Sequence, residues 1–228
     1  MQTISHSDFV VGIFKKELKN RFLCEVNIDG EDVVCYVPSS CHLSNFLKLE
    51  GKKVLLIPTQ TQNTRTKYAL FAVPYKKNYI ILNTSMANRA IEASIKSRRF
   101  CYLGNRSCII KERSVDGYKA DLFIPESNTI VEVKSIISLN DNAIFPTVYS
   151  ERTLKQLDLI LNMLKKGYKV CFILVSLHPY VKSIKIDTNS EFYTELDKCM
   201  KAGLVLKAYT CRLQSDVILI DKEINITY

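Results

Sequence analysis

Residues 119–135 read KADLFIPESNTIVEVKS, and their alternation of apolar and charged side chains decides the fold of the second half of the chain. Successive side chains of a β-strand point to opposite faces of the sheet. The alternation therefore predicts two strands, at about residues 120–125 and 129–137. The turn-forming residues between them predict that the two strands form a hairpin.

The apolar residues of this hairpin predict its register, because one face must be buried. Placing Ile124 against Val131 and Leu122 against Val133 puts all four side chains on one face. We therefore expect this face to pack into the core.

The same register collects the ionisable residues on the other face, with Asp121 opposite Lys134 and Phe123 opposite Glu132. Two carboxylates placed in this way can share a hard divalent cation through their oxygens. A neighbouring lysine can orient an attacking water or stabilise charge that develops on a phosphate. The alternative interpretation is a wet strand face on which Asp121 and Lys134 form an ordinary cross-strand ion pair.

Upstream, residues 1 to about 80 predict five short strands and no helix. Apolar runs at 9–14, 22–28, 33–37, 53–58 and 68–73 are separated by turn signals, among them Asp29-Gly30, a typical hairpin turn. Five strands in this length favour a small closed barrel of the oligonucleotide-binding (OB) type.

Barrels of this type often bind single strands through basic and aromatic side chains. Arg21, Arg65, Lys67 and Tyr68 are the candidates for such contacts. The alternative for each of them is a solvated basic face.

The pattern changes at Asn83-Thr84-Ser85, which supplies helix-capping residues before helical apolar spacing at 86–96. Further helices are predicted at about 150–166, ended by Gly167, and at 191–201, ended near Gly203. Strands are predicted at 107–111, 169–177, 205–209 and 217–220, the second as a buried central strand. We therefore expect an α/β (α+β) protein with an OB-like barrel domain at 1–82 and a mixed-sheet domain at 83–228.

Composition excludes several classes of protein. The 228 residues are 47% hydrophobic and 24% charged, which is typical of globular chains, and no apolar run reaches the roughly 18 residues of a membrane helix. The N-terminus lacks a signal-peptide pattern. The eight cysteines form no CxxC pair and the three histidines are scattered, so we expect no zinc site, and we expect most of the thiols to be buried in a reducing, cytoplasmic compartment.

The net charge of +9 favours a polyanionic partner, because a positive field attracts phosphate and releases counterions. The alternative is that this charge serves solubility alone. DNA is the expected partner, although the sequence does not distinguish it from RNA. It leaves the oligomeric state open.

Several motifs together resemble the sugar fermentation stimulation protein (SfsA) family, over most of the chain. The matching residues are Lys19-Asn-Arg21-Phe22-Leu23, Arg65-Thr66-Lys67-Tyr68-Ala69-Leu70, Glu112, Lys119-Ala-Asp121, Ile130-Val-Glu-Val-Lys-Ser135, Phe145-Pro146, Glu151-Arg152, Lys155, Gly203 and Ala208-Tyr209.

The resemblance implies an N-terminal OB-type barrel followed by a domain that resembles the PD-(D/E)xK nucleases. It assigns Asp121 and Glu132 as ligands of Mg²⁺ or Mn²⁺, Glu112 as a further acidic residue at the metal, and Lys134 as the catalytic lysine. The implied activity is Mg²⁺-dependent phosphodiester hydrolysis by a DNA-binding protein. The alternative is a non-catalytic DNA-binding regulator of sugar metabolism genes.

On the predicted helix at 150–166, Glu151, Lys155, Asp158 and Asn162 form a polar stripe. We expect this stripe to face the site, with Arg152 and Lys155 as nucleic-acid contacts. An i,i+4 salt bridge between Glu151 and Lys155 on a solvated face is the alternative.

Three segments depart from the family pattern. The Ser-Arg that precedes the family's aspartate is Tyr118-Lys119 here, and the Lys-His pair of the helix is Lys155-Gln156. The family's Pro-Asn-Thr-Gly segment is Pro38-Ser-Ser-Cys41, without the glycine.

Overall fold

The computed structural model describes residues 9–39, 42–45, 47–59, 65–214 and 217–228. Within these ranges the chain forms a five-stranded barrel, extended by a sixth strand, and then a helix-flanked mixed sheet. The fold class expected from the sequence is confirmed. None of the helices in the described part of the chain is long and apolar enough to cross a membrane.

Among the described residues, five strands close the barrel, as predicted, and a sixth pairs with the fifth outside the closure. They are β1 (Val10–Glu17), β2 (Leu23–Ile28), β3 (Glu31–Tyr36), β4 (Lys53–Pro58), β5 (Tyr68–Tyr75) and β6 (Asn78–Ile81). Their order is β3-β2-β1-β4-β5-β6, and a parallel contact between Tyr36 and Ala69 closes β3 onto β5. The predicted Asp29-Gly30 turn joins β2 to β3, and both residues have the positive φ that a tight hairpin turn requires (51° and 93°).

The second sheet has the order β14-β13-β11-β9-β8-β7. Its central strands β9, β11 and β13 are parallel, and antiparallel strands flank them on both sides. The elements that follow the barrel are α1 (Met86–Ser94), β7 (Ile110–Val115), β8 (Tyr118–Ile124), β9 (Thr129–Ile136), β10 (Asn142–Ile144), α2 (Glu151–Lys165), β11 (Lys169–Ser176), β12 (Ser183–Lys185), α3 (Glu191–Lys201), β13 (Val205–Gln214), β14 (Val217–Glu223) and β15 (Asn225–Thr227).

The strand predicted at 107–111 is wrong in position, since β7 begins at Ile110. The short strands β10, β12 and β15, which pair in parallel with one another, were not predicted. The predicted α2 is confirmed. Ser150 caps its N-terminus by accepting the backbone N–H of Thr153, and Gly167 follows its end with φ of 87°.

The second sheet is buried on both faces. On one face, Leu122 and Val131 belong to a core that also contains the interior of the barrel and α1. On the other face, Ile130 and Phe172 pack in a core with α2 and α3. Polar side chains that β9 directs toward α2 are therefore enclosed, rather than on an open sheet surface.

The hairpin of β8 and β9 forms as predicted, but its predicted register is wrong by two residues. Leu122 pairs with Val131 and Ile124 pairs with Thr129. The connection is shorter than expected, because a 3₁₀ turn at Pro125–Ser127 is completed by Asn128 in the left-handed conformation, with φ of 50°. A shift of two preserves the faces, since side chains alternate with a period of two.

A candidate active site between two strands and a helix

The candidate site lies where β8 separates from β9. The two strands are paired next to their connecting turn, from Ile124 with Thr129 to Leu122 with Val131. Farther from the turn, the described residues of these strands are not paired with each other. Beyond that point, the Asp121 carboxylate accepts the backbone N–H of Val133 through Oδ2, at 2.8 Å. The side chain of Asp121 thus satisfies a strand donor, and the gap between the strands becomes accessible.

Glu132 is 3% exposed and is held by two side-chain donors. Its Oε1 accepts from Lys134 Nζ at 2.9 Å, and its Oε2 accepts from the Tyr118 hydroxyl at 2.7 Å. The alternative of a wet edge is wrong, because β9 is an interior strand. Within the described ranges, the ion pair of Lys134 is with Glu132 rather than Asp121.

The environment of Asp121 disfavours its negative charge. Burial, followed by repulsion from Glu132, raises its pKa from 3.8 to about 6. Hydrogen bonds from Val133 and Asn88, and the charge of Lys134, act in the opposite direction. Two close carboxylates with one ammonium retain excess negative charge, and this arrangement suits a divalent cation.

The arrangement also retains free lone pairs for such a cation. Each oxygen of Asp121 and Glu132 accepts one hydrogen bond from the protein. A carboxylate offers about four acceptor positions, so each oxygen keeps one for a ligand. Asp121 and Glu132 therefore fit Mg²⁺ or Mn²⁺ as a pair of oxygen ligands.

Glu112 lines the same cavity as this pair, but its carboxylate is engaged by Lys119, so it does not complete the set of three metal ligands expected from the sequence. Its φ is 45°, and its carboxylate binds Lys119 at 2.8 Å with 73% of the side chain exposed. Lys119 lowers the pKa of Glu112. In the described part of the chain, no three His, Cys, Asp or Glu side chains form a group that could hold a metal.

Helix α2 forms the opposite wall of a cavity of about 720 Å³ that contains the three central residues. Arg152 and Lys155 line this cavity, and so does Glu151. All three side chains are exposed. The salt bridge between Glu151 and Lys155 is absent from the ion pairs of the described residues, so the Lys155 ammonium is available to a ligand.

The predicted polar stripe of α2 is only half right. Asp158 and Asn162 do not line the cavity, and Gln156 does. Gln156 accepts from Lys134 Nζ through Oε1 and donates to the Tyr118 hydroxyl through Nε2 at 3.1 Å. The helical rotation of about 100° per residue turns Arg152 and Gln156 toward the site together.

Sequence reasoning missed three residues of this site, Tyr118, Gln156 and Asn88. A signal was available for Tyr118 and Gln156, because both stand where the chain departs from the family pattern. No signal pointed to Asn88, which reaches Asp121 from α1 across 33 residues of sequence, at 3.1 Å.

The barrel carries a second candidate surface, in which a cation lies against aromatic rings. The Arg21 guanidinium is 4.7 Å from the centroid of the Phe22 ring, and Phe22 stacks on Tyr36 at 6.4 Å. Phe22 is 39% and Tyr36 is 40% exposed. Sequence reasoning selected Arg21 and missed both rings, although exposed aromatic side chains beside basic ones are typical of surfaces that bind single strands.

Of the other predicted barrel residues, Tyr68 adjoins Ala69, the pairing partner of Tyr36. Arg65 and Lys67 are exposed, whereas Tyr68 is half-buried against the barrel core. Within the departing segment at 38–41, Ser40 and Cys41 lie outside the described residues.

Comparison with known proteins identifies the family. Residues 85–217 match the model described as the sugar fermentation stimulation protein RE domain, and residues 18–82 match that of the SfsA N-terminal OB domain. The first match alone covers more than half of the chain. The chain belongs to the sugar fermentation stimulation protein family. The resemblance inferred from its motifs is confirmed.

Full-length relatives and a solved structure agree with this assignment. A sugar fermentation stimulation protein homolog of Pelagibacter ubique is 29% identical, over 90% of this chain and 91% of the relative. The homolog of Methanobrevibacter smithii is 25% identical, with coverage of 90% and 91%. The structure of Pyrococcus furiosus SfsA in complex with Ca²⁺ aligns over all of both chains with a TM-score of 0.83 at 19% identity, which shows that the SfsA fold is shared.

Proposed function

We propose that this SfsA-family protein binds DNA and hydrolyses its phosphodiester bonds in the cavity between β8, β9 and α2, with Mg²⁺ or Mn²⁺. The observation that carries the proposal is the pair of half-buried Asp121 and buried Glu132, whose mutual repulsion is only partly offset by Lys134. A structural ion pair would need one carboxylate. The second carboxylate costs stability unless a cation joins it.

Asp121 and Glu132 would hold the cation, each through a lone pair that the protein leaves free. When bound, Mg²⁺ or Mn²⁺ would supply Lewis-acid chemistry, by activating water and by neutralising charge on the phosphate. That Pyrococcus furiosus SfsA was solved in complex with Ca²⁺, also a hard cation, supports the choice of metal class.

Lys134 would act on the reacting phosphate as a fixed positive charge. Its ammonium donates to Glu132 and Gln156, and one of its three N–H groups remains to reach water or phosphate oxygen in the cavity. A donor that is already oriented stabilises developing negative charge without reorganisation.

Two basic surfaces would hold the DNA backbone. Arg152 and Lys155 lie on α2 at the cavity, where they can neutralise the phosphates that flank the reacting one. On the barrel, Phe22 and Tyr36 offer stacking faces beside Arg21, and the exposed Arg65 and Lys67 add positive charge to the same domain. The net charge of +9 adds long-range attraction.

A non-catalytic DNA-binding regulator is the second candidate. One observation favours it: all four oxygens of the carboxylate pair already accept hydrogen bonds from the protein, as they would in a purely structural cluster. Both candidates predict binding to DNA, but only the first predicts cleavage that requires a divalent cation.

The experiment is incubation of the purified full-length chain with end-labelled DNA, in EDTA and in added Mg²⁺ or Mn²⁺. Cleavage that requires the cation would support the nuclease. Binding in a mobility-shift assay without cleavage under any metal condition would favour the regulator. Absence of both binding and cleavage would refute the proposed function, and labelled RNA run in parallel shows which nucleic acid is preferred.

A further inference from the structure

Four side chains at the candidate site form a closed ring of hydrogen bonds. Lys134 donates to Glu132 and to Gln156, Gln156 donates to Tyr118, and Tyr118 donates to Glu132. The ring spans three separate elements, namely β8, β9 and α2. Two of its members, Tyr118 and Gln156, are not among the predicted site residues.

The direction of every bond in the ring is determined by chemistry. A lysine ammonium only donates and a carboxylate only accepts. Lys134 therefore donates both of its bonds in the ring, and Glu132 accepts both of its bonds. The amide of Gln156 must present its oxygen to Lys134, because the amide nitrogen and the ammonium are both donors and cannot bond to each other. Its nitrogen then faces Tyr118, which must direct its own proton to Glu132.

The ring leaves Glu132 no freedom to rotate. Both of its oxygens are engaged from opposite sides, by Lys134 at 2.9 Å and by Tyr118 at 2.7 Å, and the side chain is 3% exposed. Lys134 is likewise held on two sides, by Glu132 and Gln156. Without Gln156, the ammonium would retain a single anchor.

We propose that Tyr118 and Gln156 are positioning residues, which orient Glu132 toward the cation and Lys134 toward the phosphate through this ring. The inference rests on the proposed function, since it concerns how that same site is arranged. Partners that orient metal ligands typically contribute 10–100-fold to metal affinity or activity.

Two structural details argue that the ring has this purpose. Gln156 lies on the cavity side of α2, where a short apolar residue would cover the β-sheet without burying an amide. Tyr118 is 2% exposed, so its hydroxyl is buried and requires partners. The ring gives hydrogen-bond partners to both the Gln156 amide and the Tyr118 hydroxyl. If either group is removed, the other loses a partner and its burial costs stability.

The test uses the full-length chain with Tyr118→Phe, Gln156→Met and the double variant. Tyr209→Phe is the matched control, because Tyr209 is fully buried and its hydroxyl bonds to Tyr102 at 3.1 Å, away from this site. Mn²⁺ binding is measured by isothermal titration calorimetry without DNA. Cleavage of labelled DNA is measured separately at saturating Mn²⁺, to resolve kcat from KM.

We expect each single variant to weaken Mn²⁺ binding and to lower kcat by about 10–100-fold, with KM for DNA unchanged. The double variant should resemble the singles, since opening the ring once releases both neighbours. Gln156→His should largely restore both properties at pH 8, because a neutral imidazole carries one donor and one acceptor, as the amide does. Tyr209→Phe should leave both unchanged.

Single variants that keep Mn²⁺ affinity and kcat within twofold would overturn the positioning role and leave the nuclease proposal intact. Effects that multiply in the double variant would also overturn it, since independent packing defects are additive in free energy. If the wild-type protein binds Mn²⁺ but does not cleave, the calorimetry alone decides the inference. A wild-type protein that takes up no Mn²⁺ would overturn the metal site, and this inference with it.

Discussion

The Asp121 carboxylate accepts the backbone N–H of Val133 at 2.8 Å, just beyond the last paired residues of β8 and β9. This bond lets the two strands part without leaving a buried donor unsatisfied. Asp121 is consequently both a structural acceptor and a candidate metal ligand. Its two roles separate experimentally, because an amide oxygen can accept the same N–H but carries no charge.

Asp121→Asn should abolish Mg²⁺-dependent cleavage, because the cation loses one of two carboxylates. DNA binding in EDTA should be retained or slightly tighter, since a negative charge near the phosphate has been removed. Cleavage, mobility shift and melting temperature would be measured on the same protein. The control is Asp158→Asn, an exposed carboxylate on α2 outside the cavity. Wild-type cleavage by Asp121→Asn would refute the site assignment.

Phe22→Ala and Tyr36→Ala should each weaken binding of single-stranded DNA, with the cleavage rate of bound substrate unchanged. Base stacking on an aromatic side chain contributes about 1–3 kcal/mol, which predicts a loss of roughly 5- to 150-fold per ring. Val11→Ala is the control, because this side chain is also apolar and 48% exposed on the barrel. Equal small losses in all three variants would remove the barrel surface from the proposal. Affinities would be measured by fluorescence anisotropy at fixed salt.

Affinity for DNA should fall steeply with salt, because phosphate neutralisation releases counterions. Arg152→Gln and Lys155→Gln should each reduce the slope of log affinity against log salt by about one. Lys201→Gln should leave the slope unchanged, since Lys201 lies on α3 and is paired with Asp197. A slope that stays the same in the two α2 variants would mean that no phosphate is bound there.

His178 should make the folded state less stable at acid pH. It is fully buried, its Nδ1 accepts from the backbone N–H of Tyr180, and its Nε2 makes no hydrogen bond within the described residues. Burial lowers its pKa, an effect that nearby Lys76 adds to and that Asp141, at 4.0 Å, partly opposes. Because the folded pKa is below the unfolded one, stability is present above the unfolded value near 6.5 and is lost as the pH falls toward the folded pKa.

The comparison for this effect is His178→Gln, whose side chain can accept from Tyr180 but does not titrate. Free energies of unfolding would be measured by urea titration between pH 8 and pH 5. As the pH falls below about 6.5, the wild type should lose stability faster than the variant. The difference between their free energies of unfolding should therefore become smaller. If the free energies of unfolding of the two proteins fell in parallel with pH, His178 would not be the cause of the loss of stability at acid pH.

What the sequence determined by itself was the distribution of side chains between faces. The alternation along β8 and β9 placed Asp121, Glu132 and Lys134 together even though the predicted register was wrong by two. A shift of two residues changes partners but not faces, because the strand period is two. The stop signal of α2 was equally local, and Gly167 stands where it was expected.

What only the tertiary structure decided was which side chains meet. Gln156 reaches Lys134 over 22 residues of sequence and Tyr118 over 38, and Asn88 reaches Asp121 over 33. Such contacts depend on the distance and rotation of α1 and α2 over the sheet, which local periodicity does not encode. The pairing of Glu112 with Lys119 was likewise visible only in the structure, which places their charged groups 2.8 Å apart.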